Sequence, residues 1–190
     1  GDVYKRQIYI IVIYKGDIAM SKSVNLYVVV PCYNEEAVLH ETSKQMLELF
    51  GEMKNDGLIN DNSRIVFVDD GSKDKTWSII DELTKAHTEI SGIKLAKNAG
   101  HQNALFGGLM TVKDDCDCAI SIDADLQDDI HVIPDMVRKF IDVYDVVYGV
   151  RNKRDTDTFF KRTTAVGFYK LMQFMGVNIV FNHADYLSLI

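Results

Sequence analysis

The stretch Ala119-Ile-Ser-Ile-Asp123-Ala-Asp125-Leu-Gln127-Asp-Asp129 decides how the rest of the chain is read. A short apolar run leads directly into an Asp-x-Asp pair, with an amide two residues further on. Side chains alternate along an extended segment, so Asp123, Asp125 and Gln127 are expected on one side of the chain. Three oxygen donors at the carboxyl end of a buried strand suit a hard divalent cation, Mg²⁺ or Mn²⁺. Such an ion keeps several waters and draws its other ligands from phosphates. The competing reading is a solvated turn, and Asp128-Asp129 before Ile130-His-Val-Ile-Pro134 does read as a helix start. A calcium loop of the EF-hand type is excluded, because its glycine and its terminal glutamate are both missing.

Upstream, the same plan recurs. Leu26-Tyr-Val-Val-Val30 is a buried strand that ends in Pro31-Cys-Tyr-Asn34-Glu-Glu36. Asn34 is expected to cap a helix carrying Val38, Leu39, Met46, Leu49 and Phe50 at helical spacing. Arg64-Ile-Val-Phe-Val68 is a second strand, followed by the turn Asp69-Asp70-Gly-Ser72 and a helix over 75–84, capped by Ser72 or Asp74. Asp70, just past a buried strand, is a candidate to accept hydrogen bonds from a base or ribose. A third strand over 92–95 leads into Lys97-Asn-Ala-Gly100-His-Gln102 and a helix through Leu109 and Met110. Gly100, Gly107 and Gly108 permit close backbone approach, and His101 reads equally as a cap or a ligand contact. After the acidic strand come a helix over 133–141 and a strand over 144–150 that ends at Arg151. Repeated strand-then-helix order implies a mostly parallel, Rossmann-like α/β sheet with helices on both faces. Neither Gly-x-Gly-x-x-Gly after the first strand nor a phosphate-loop signature occurs, so a ligand would be gripped by side chains at successive strand ends.

The chain has 190 residues, 47% of them hydrophobic, enough for one buried core. A formal charge of -7 argues against nucleic acid as a partner. The charge is unevenly placed. Acids dominate between Lys113 and Asp145, whereas Arg151, Lys153, Arg154, Lys161, Arg162 and Lys170 outweigh Asp155 and Asp157. An acidic zone beside a cationic one suits two anionic substrates. Cys32, Cys116 and Cys118 offer no disulfide framework, and Cys116-x-Cys118 without a second pair makes no zinc site. The apolar run over 8–14 is too short to span a bilayer. Residues 1–19 are read as leader or artefact sequence outside the fold, and the domain as 20–190, truncated at its carboxyl end.

Taken together, Val28-Val-Val-Pro31-Cys-Tyr33-Asn34-Glu35-Glu36, Val68-Asp-Asp70-Gly-Ser, Lys97-Asn98-Ala-Gly100-His-Gln102 and Asp123-Ala-Asp125-Leu-Gln127 resemble the family 2 glycosyltransferases of the GT-A fold. Val147-Tyr-Gly-Val-Arg151, Asp157-Thr-Phe-Phe-Lys-Arg162 and His183-Ala-Asp185-Tyr186 extend the likeness to the polyprenyl-phosphate branch, which includes bactoprenol glucosyltransferases and dolichol-phosphate mannose synthases. The resemblance implies that Pro31, Tyr33, Asn34, Glu35, Val68, Asp70, Asp123 and Ala124 line the nucleotide pocket. It implies a cation, Mg²⁺ or Mn²⁺, on Asp123, Asp125 and Gln127. Arg151, Arg154 and Arg162 would face the acceptor phosphate, and Asp185 would act as base or orienter. The donor implied is a nucleotide diphosphate sugar, a UDP-sugar in preference to GDP-mannose. The acceptor is a polyprenyl phosphate at the cytoplasmic face of a membrane, with the whole protein anchored by carboxy-terminal helices. An apolar stripe over 159–177 with interspersed lysine and arginine reads as core packing or as an interfacial helix on the membrane surface. A homo-oligomer is compatible with the sequence and not specified by it. The alternatives are a transferase acting on a soluble sugar hydroxyl, a nucleotidyltransferase, and a nucleotide-sugar-binding module without turnover.

Overall fold

The computed structural model describes residues 9–11, 23–126 and 129–142. The chain divides into two compact units, Gly1–Gly149 and Val150–Ile190, and every described residue belongs to the first. The strand expected over 144–150 and the helix expected over 159–177 lie outside the described residues.

The elements in chain order are β1 (Tyr9–Ile11), β2 (Leu26–Cys32), α1 (Leu39–Asn55), β3 (Arg64–Asp69), α2 (Thr76–Ala86), β4 (Ile90–Lys94), α3 (His101–Val112), β5 (Cys118–Ser121) and α4 (Ile133–Ile141), the last preceded by a 3₁₀ turn at Ile130–Val132. They build a five-stranded sheet in the order β1-β5-β2-β3-β4. Strands β2 to β5 run parallel and β1 is antiparallel to β5. This is the expected parallel α/β architecture, with one addition. Residues 9–11, set aside in the sequence reading, pair with Ser121, Ile120 and Ala119. The reason is physical: a strand edge presents N–H and C=O groups for pairing, and Tyr-Ile-Ile is a run of residue types that favour strands.

Alternation along the strands sorts the core into two layers. Val28, Val30, Cys32, Ile65, Phe67 and Ile120 face α1, α2 and α4, which contribute Met46, Phe50, Ile80, Ile133 and Val137. Val29, Val66, Val68 and Ala119 face the opposite way, against Ala104, Leu105, Leu109 and Val112 of α3. A side chain of this size contributes roughly 1.5–3 kcal/mol when fully buried. The sheet is therefore held from both sides, as a parallel sheet requires.

The chain first adds β3 and β4 on one side of β2, then returns to lay β5 on the other. This reversal makes the β2/β5 boundary the switch point of the sheet, where open α/β folds bind ligands. Helix α3 sits very close to the sheet over β2 and β3. A Cβ on Gly108 would lie 2.7 Å from Val29 Cγ1 and 2.8 Å from Val68 Cγ2. Both neighbours are stiff β-branched side chains. Gly108→Ala should therefore lose stability, because overpacking of about 1–3 kcal/mol exceeds the ~1 kcal/mol that alanine gains in helix propensity. Denaturant titration of the two proteins measures this, and a more stable variant would contradict the packing described.

Candidate active site

The ladder between β2 and β5 closes at Val29 and Ser121, with Ile122 N–H donating to Val29 C=O at 3.2 Å. Beyond that bond the two strands part, and a cleft of about 170 Å³ opens at their carboxyl ends. Its lining brings together Pro31, Tyr33, Glu35, Asp70, Asp123, Ala124 and Asp125, all expected from the sequence, with Cys32, Asn98, Gly100 and His101.

Three loops make the walls, and hydrogen bonds tie them to one another. Between the β2–α1 and β3–α2 loops, Asn34 N–H donates to Ser72 Oγ at 3.0 Å and Asn34 Oδ1 accepts from Lys73 N–H at 2.9 Å. Glu35 N–H donates to Thr76 Oγ1 at 2.8 Å, Glu36 N–H to Asp74 Oδ2 at 3.2 Å, and Lys75 N–H to Glu36 Oε2 at 2.8 Å. Asn34 sits in the left-handed region at φ 57, which asparagine tolerates better than most residues. Helix α1 begins only at Leu39, with no side-chain cap. Asn34 is thus a clasp between loops, exposed and off the cleft lining, not the expected helix cap or pocket wall.

The third wall hangs on Asp70. Its carboxylate is buried, and its two oxygens accept from Ala99 N–H at 2.6 Å and Gly100 N–H at 2.9 Å. Its own N–H donates to Cys32 C=O at 2.8 Å. Asp70 lines the cleft as expected, and it also fixes the backbone that carries Asn98 and Gly100. Gly71, at φ 68, lets that loop come near: a Cβ there would lie 2.5 Å from Asn98 N. Val68, expected in the pocket, is fully buried in the core against α3 and is not among the residues lining the cleft.

The acidic stretch departs from the extended geometry expected of it. Strand β5 stops at Ser121, and residues 124 and 125 form a turn in which Leu126 N–H approaches Asp123 C=O at 3.4 Å. Both aspartates nevertheless reach the same cleft. A turn, not strand alternation, brings them there. His101, the first residue of α3, points its Nε2 to within 3.7 Å of Asp123 Oδ1. Asp129 caps the turn before α4, accepting from His131 N–H at 3.0 Å. Burial pushes the Cys32 thiol well up, and the negative charges of Glu35 and Asp69 add to that. It is therefore a neutral thiol at pH 7 and no nucleophile. Gln127, Arg151, Arg154, Arg162 and Asp185 lie outside the described residues.

The sequence pointed to Asn98 only as part of a motif, to Gly100 as a point of close backbone approach and to His101 as a cap or a ligand contact, and all three line the cleft. Thr42 it did not single out, yet this buried hydroxyl lies within hydrogen-bond distance of Ala124 C=O, between the two aspartates.

The family model for glycosyl transferase family 2 matches residues 27–189. Over 161 residues the chain is 53% identical to an uncharacterized glycosyltransferase, YkoT, of Bacillus subtilis (strain 168), covering 85% of this chain and 48% of that protein. Over 143 residues it is 41% identical to a prophage bactoprenol glucosyl transferase homolog of Escherichia coli (strain K12), covering 75% of this chain and 44% of the other. The chain thus spans about half the length of these relatives. Among solved structures, a mannosyltransferase of Pyrobaculum calidifontis in complex with GDP-Man and Mn²⁺ aligns at a TM-score of 0.46 and 24% identity, over 57% of this chain and 30% of that one.

Asp74 offers a test of the clasp. Burial works to raise its pKa, but hydrogen bonds from Thr76 and from the Glu36 N–H outweigh that and hold it below the ordinary aspartate range. A lowered folded-state pKa gives stability that is present above the unfolded value and lost as pH falls through the folded one. The cap of α2 expected at Ser72 or Asp74 is not formed, Lys75 standing at the N-cap position without a side-chain bond. At neutral pH, Asp74→Ala should instead cost about 0.5–1 kcal/mol through the two backbone N–H groups its half-buried carboxylate accepts from. The gap between variant and wild type should close as acid protonates Asp74, which denaturant titrations at several pH values would reveal. A gap that does not depend on pH would rule out the carboxylate as its source.

Proposed function

The chain belongs to glycosyl transferase family 2, and from that premise we propose an inverting transfer of a sugar from a nucleotide diphosphate sugar, a UDP-sugar in preference to GDP-mannose, to a polyprenyl phosphate such as undecaprenyl or dolichyl phosphate. The observation that carries the proposal is the convergence of Pro31, Tyr33, Glu35, Asp70, Asn98, Asp123 and Asp125 on one cleft at the switch point of the sheet. The likeness to a bactoprenol glucosyl transferase homolog supports the lipid acceptor.

Asp123 and Asp125 are hard oxygen donors in the same cleft. Among the described residues there is no group of three or more His, Cys, Asp or Glu that could hold a metal ion. One or two carboxylates, completed by substrate phosphates and water, is how Mg²⁺ is held. The residues fit Mg²⁺ or Mn²⁺, with Asp123, Asp125 and Gln127 as its protein ligands. When bound, such an ion neutralises charge on a departing diphosphate.

The remaining work falls to the chain itself. Pro31, Tyr33 and Glu35 flank the nucleoside, while Asp70 holds the loop carrying Asn98 and Gly100 against it. Arg151, Arg154 and Arg162 bind and orient the acceptor phosphate through bidentate donors. The second pKa of a phosphate monoester, near ~6, leaves the acceptor oxygen largely anionic at neutral pH, so no strong base is needed. That oxygen forms a bond to the anomeric carbon as the bond to the diphosphate breaks, and the electron pair leaves with the nucleotide. In-line attack inverts the carbon. Asp185 orients the acceptor or a sugar hydroxyl. The reaction takes place at the cytoplasmic face of the membrane, where the basic residues of 151–170 meet anionic head groups. Among the described residues no helix is long and apolar enough to cross a membrane.

Calorimetric titration of UDP, GDP and their sugar conjugates, with and without Mn²⁺, tests the donor site. Binding of UDP should depend on Mn²⁺, and Asp125→Ala should weaken it at least about tenfold. Asp185→Asn should lower turnover and spare nucleotide affinity; unchanged turnover would remove Asp185 from the mechanism. Transfer from the preferred donor should require undecaprenyl phosphate, and efficient transfer to a soluble sugar hydroxyl instead would overturn the lipid-phosphate assignment.

A further inference from the structure

We propose that Thr42 is a positioning residue for the aspartate pair, a role that rests on the donor-site reading above. Thr42 lies in the first turns of α1 and is 1% exposed. Its hydroxyl lies 3.0 Å from Val38 C=O on its own helix and 2.5 Å from Ala124 C=O across 82 positions of chain. A hydroxyl carries one proton, so the two carbonyls share it. The bond to Val38 is the ordinary back-bond of a helical threonine. The bond to Ala124 has no local reason to exist.

Ala124 stands between Asp123 and Asp125, and its own side chain is buried in the core that α1 and α4 share. The turn's internal hydrogen bond is long, at 3.4 Å, and Leu126 is in the left-handed region at φ 47. For a residue other than glycine that conformation is unfavourable and persists only where the surroundings impose it. Thr42 supplies that imposition. By holding the central carbonyl of the turn toward α1, it leaves the carboxylates on either side turned to the cleft. Partners one step behind a metal ligand have this orienting effect in other proteins, and their loss is felt in metal affinity. Asp123 and Asp125 are then set by a helix in the same unit as the β2–α1 loop, so one compact unit holds both the nucleoside side and the acidic side of the cleft.

The test compares Thr42→Val, which keeps the shape and removes the hydroxyl, with Thr42→Ser, which keeps the hydroxyl. The readouts are UDP affinity with and without Mn²⁺, and amide hydrogen exchange over 122–126. Thr42→Val should cut the Mn²⁺-dependent gain in UDP affinity about tenfold, leave metal-free UDP binding within about twofold, and speed exchange over 122–126. Thr42→Ser should restore both. A Thr42→Val protein with the wild-type Mn²⁺ gain and wild-type exchange would overturn the proposal. If wild type itself shows no Mn²⁺ gain, the donor-site reading fails separately, and exchange alone then decides: faster in Thr42→Val but not in Thr42→Ser sustains the tether, unchanged exchange refutes it. Should Thr42→Val not fold, Thr42→Ala removes the same hydroxyl and is judged by the same outcomes.

Discussion

A carboxylate taken out of water must find donors or give up its charge, and the buried carboxylate of Asp70 finds them in the backbone of another loop. Its two oxygens take the N–H groups of Ala99 and Gly100, while its own amide is tied to Cys32 C=O. The ends of β2 and β3 and the start of α3 are thereby fixed at one point. Had Asp70 only solvated a turn, the Asn98 loop would lose the two hydrogen bonds that hold it against the strand ends. Gly71 is the corollary, because only a residue without Cβ leaves room for the Asn98 backbone. Removing one partner of such an arrangement costs more than the bond itself, since the other is left buried and unmatched.

Around that point the sheet divides its labour. The face toward α1, α2 and α4 is the larger core and holds the framework rigid. The opposite face, toward α3, is thinner and closely packed at Gly108. The amino end of α3 therefore arrives at the cleft, with His101 facing Asp123. Closeness of packing on one face thus becomes position of a side chain in the site. The loops need no helix caps of their own, because the clasp from Asn34 to Lys75 satisfies their amides between themselves.

The elements themselves were largely legible. The near-continuous burial of β2 and β3 and the apolar spacing of α1 follow from residue pattern alone, and α4 spans the expected 133–141. What escaped the sequence depends on partners distant along the chain. Asn34 reads as a cap until Ser72 and Lys73 are seen beside it. Asp123 and Asp125 read as alternating strand positions because nothing local reveals that the ladder with β2 ends at Ser121. Val68 carries the right motif but lies within β3, in the core layer packed by α3, a helix much further along the chain. Residues 9–11 look dispensable until the bare edge of β5 is considered.

Ending the strand before the aspartates has a chemical consequence. Carboxylates held on a continuing strand would project from opposite ends of a 6–7 Å repeat, since alternate residues stand about that far apart. A turn frees their direction from the pleat and brings both to one cleft, at the cost of a left-handed Leu126 and a long internal hydrogen bond. Such a turn is useful only if something outside it restores the lost rigidity. The fold offers α1, already anchored through Leu39, Met46 and Phe50 in the core, and its one buried hydroxyl at the right height is Thr42. Packing deep in the domain is in this way converted, through a single hydrogen bond to Ala124, into the placement of two carboxylates at its surface.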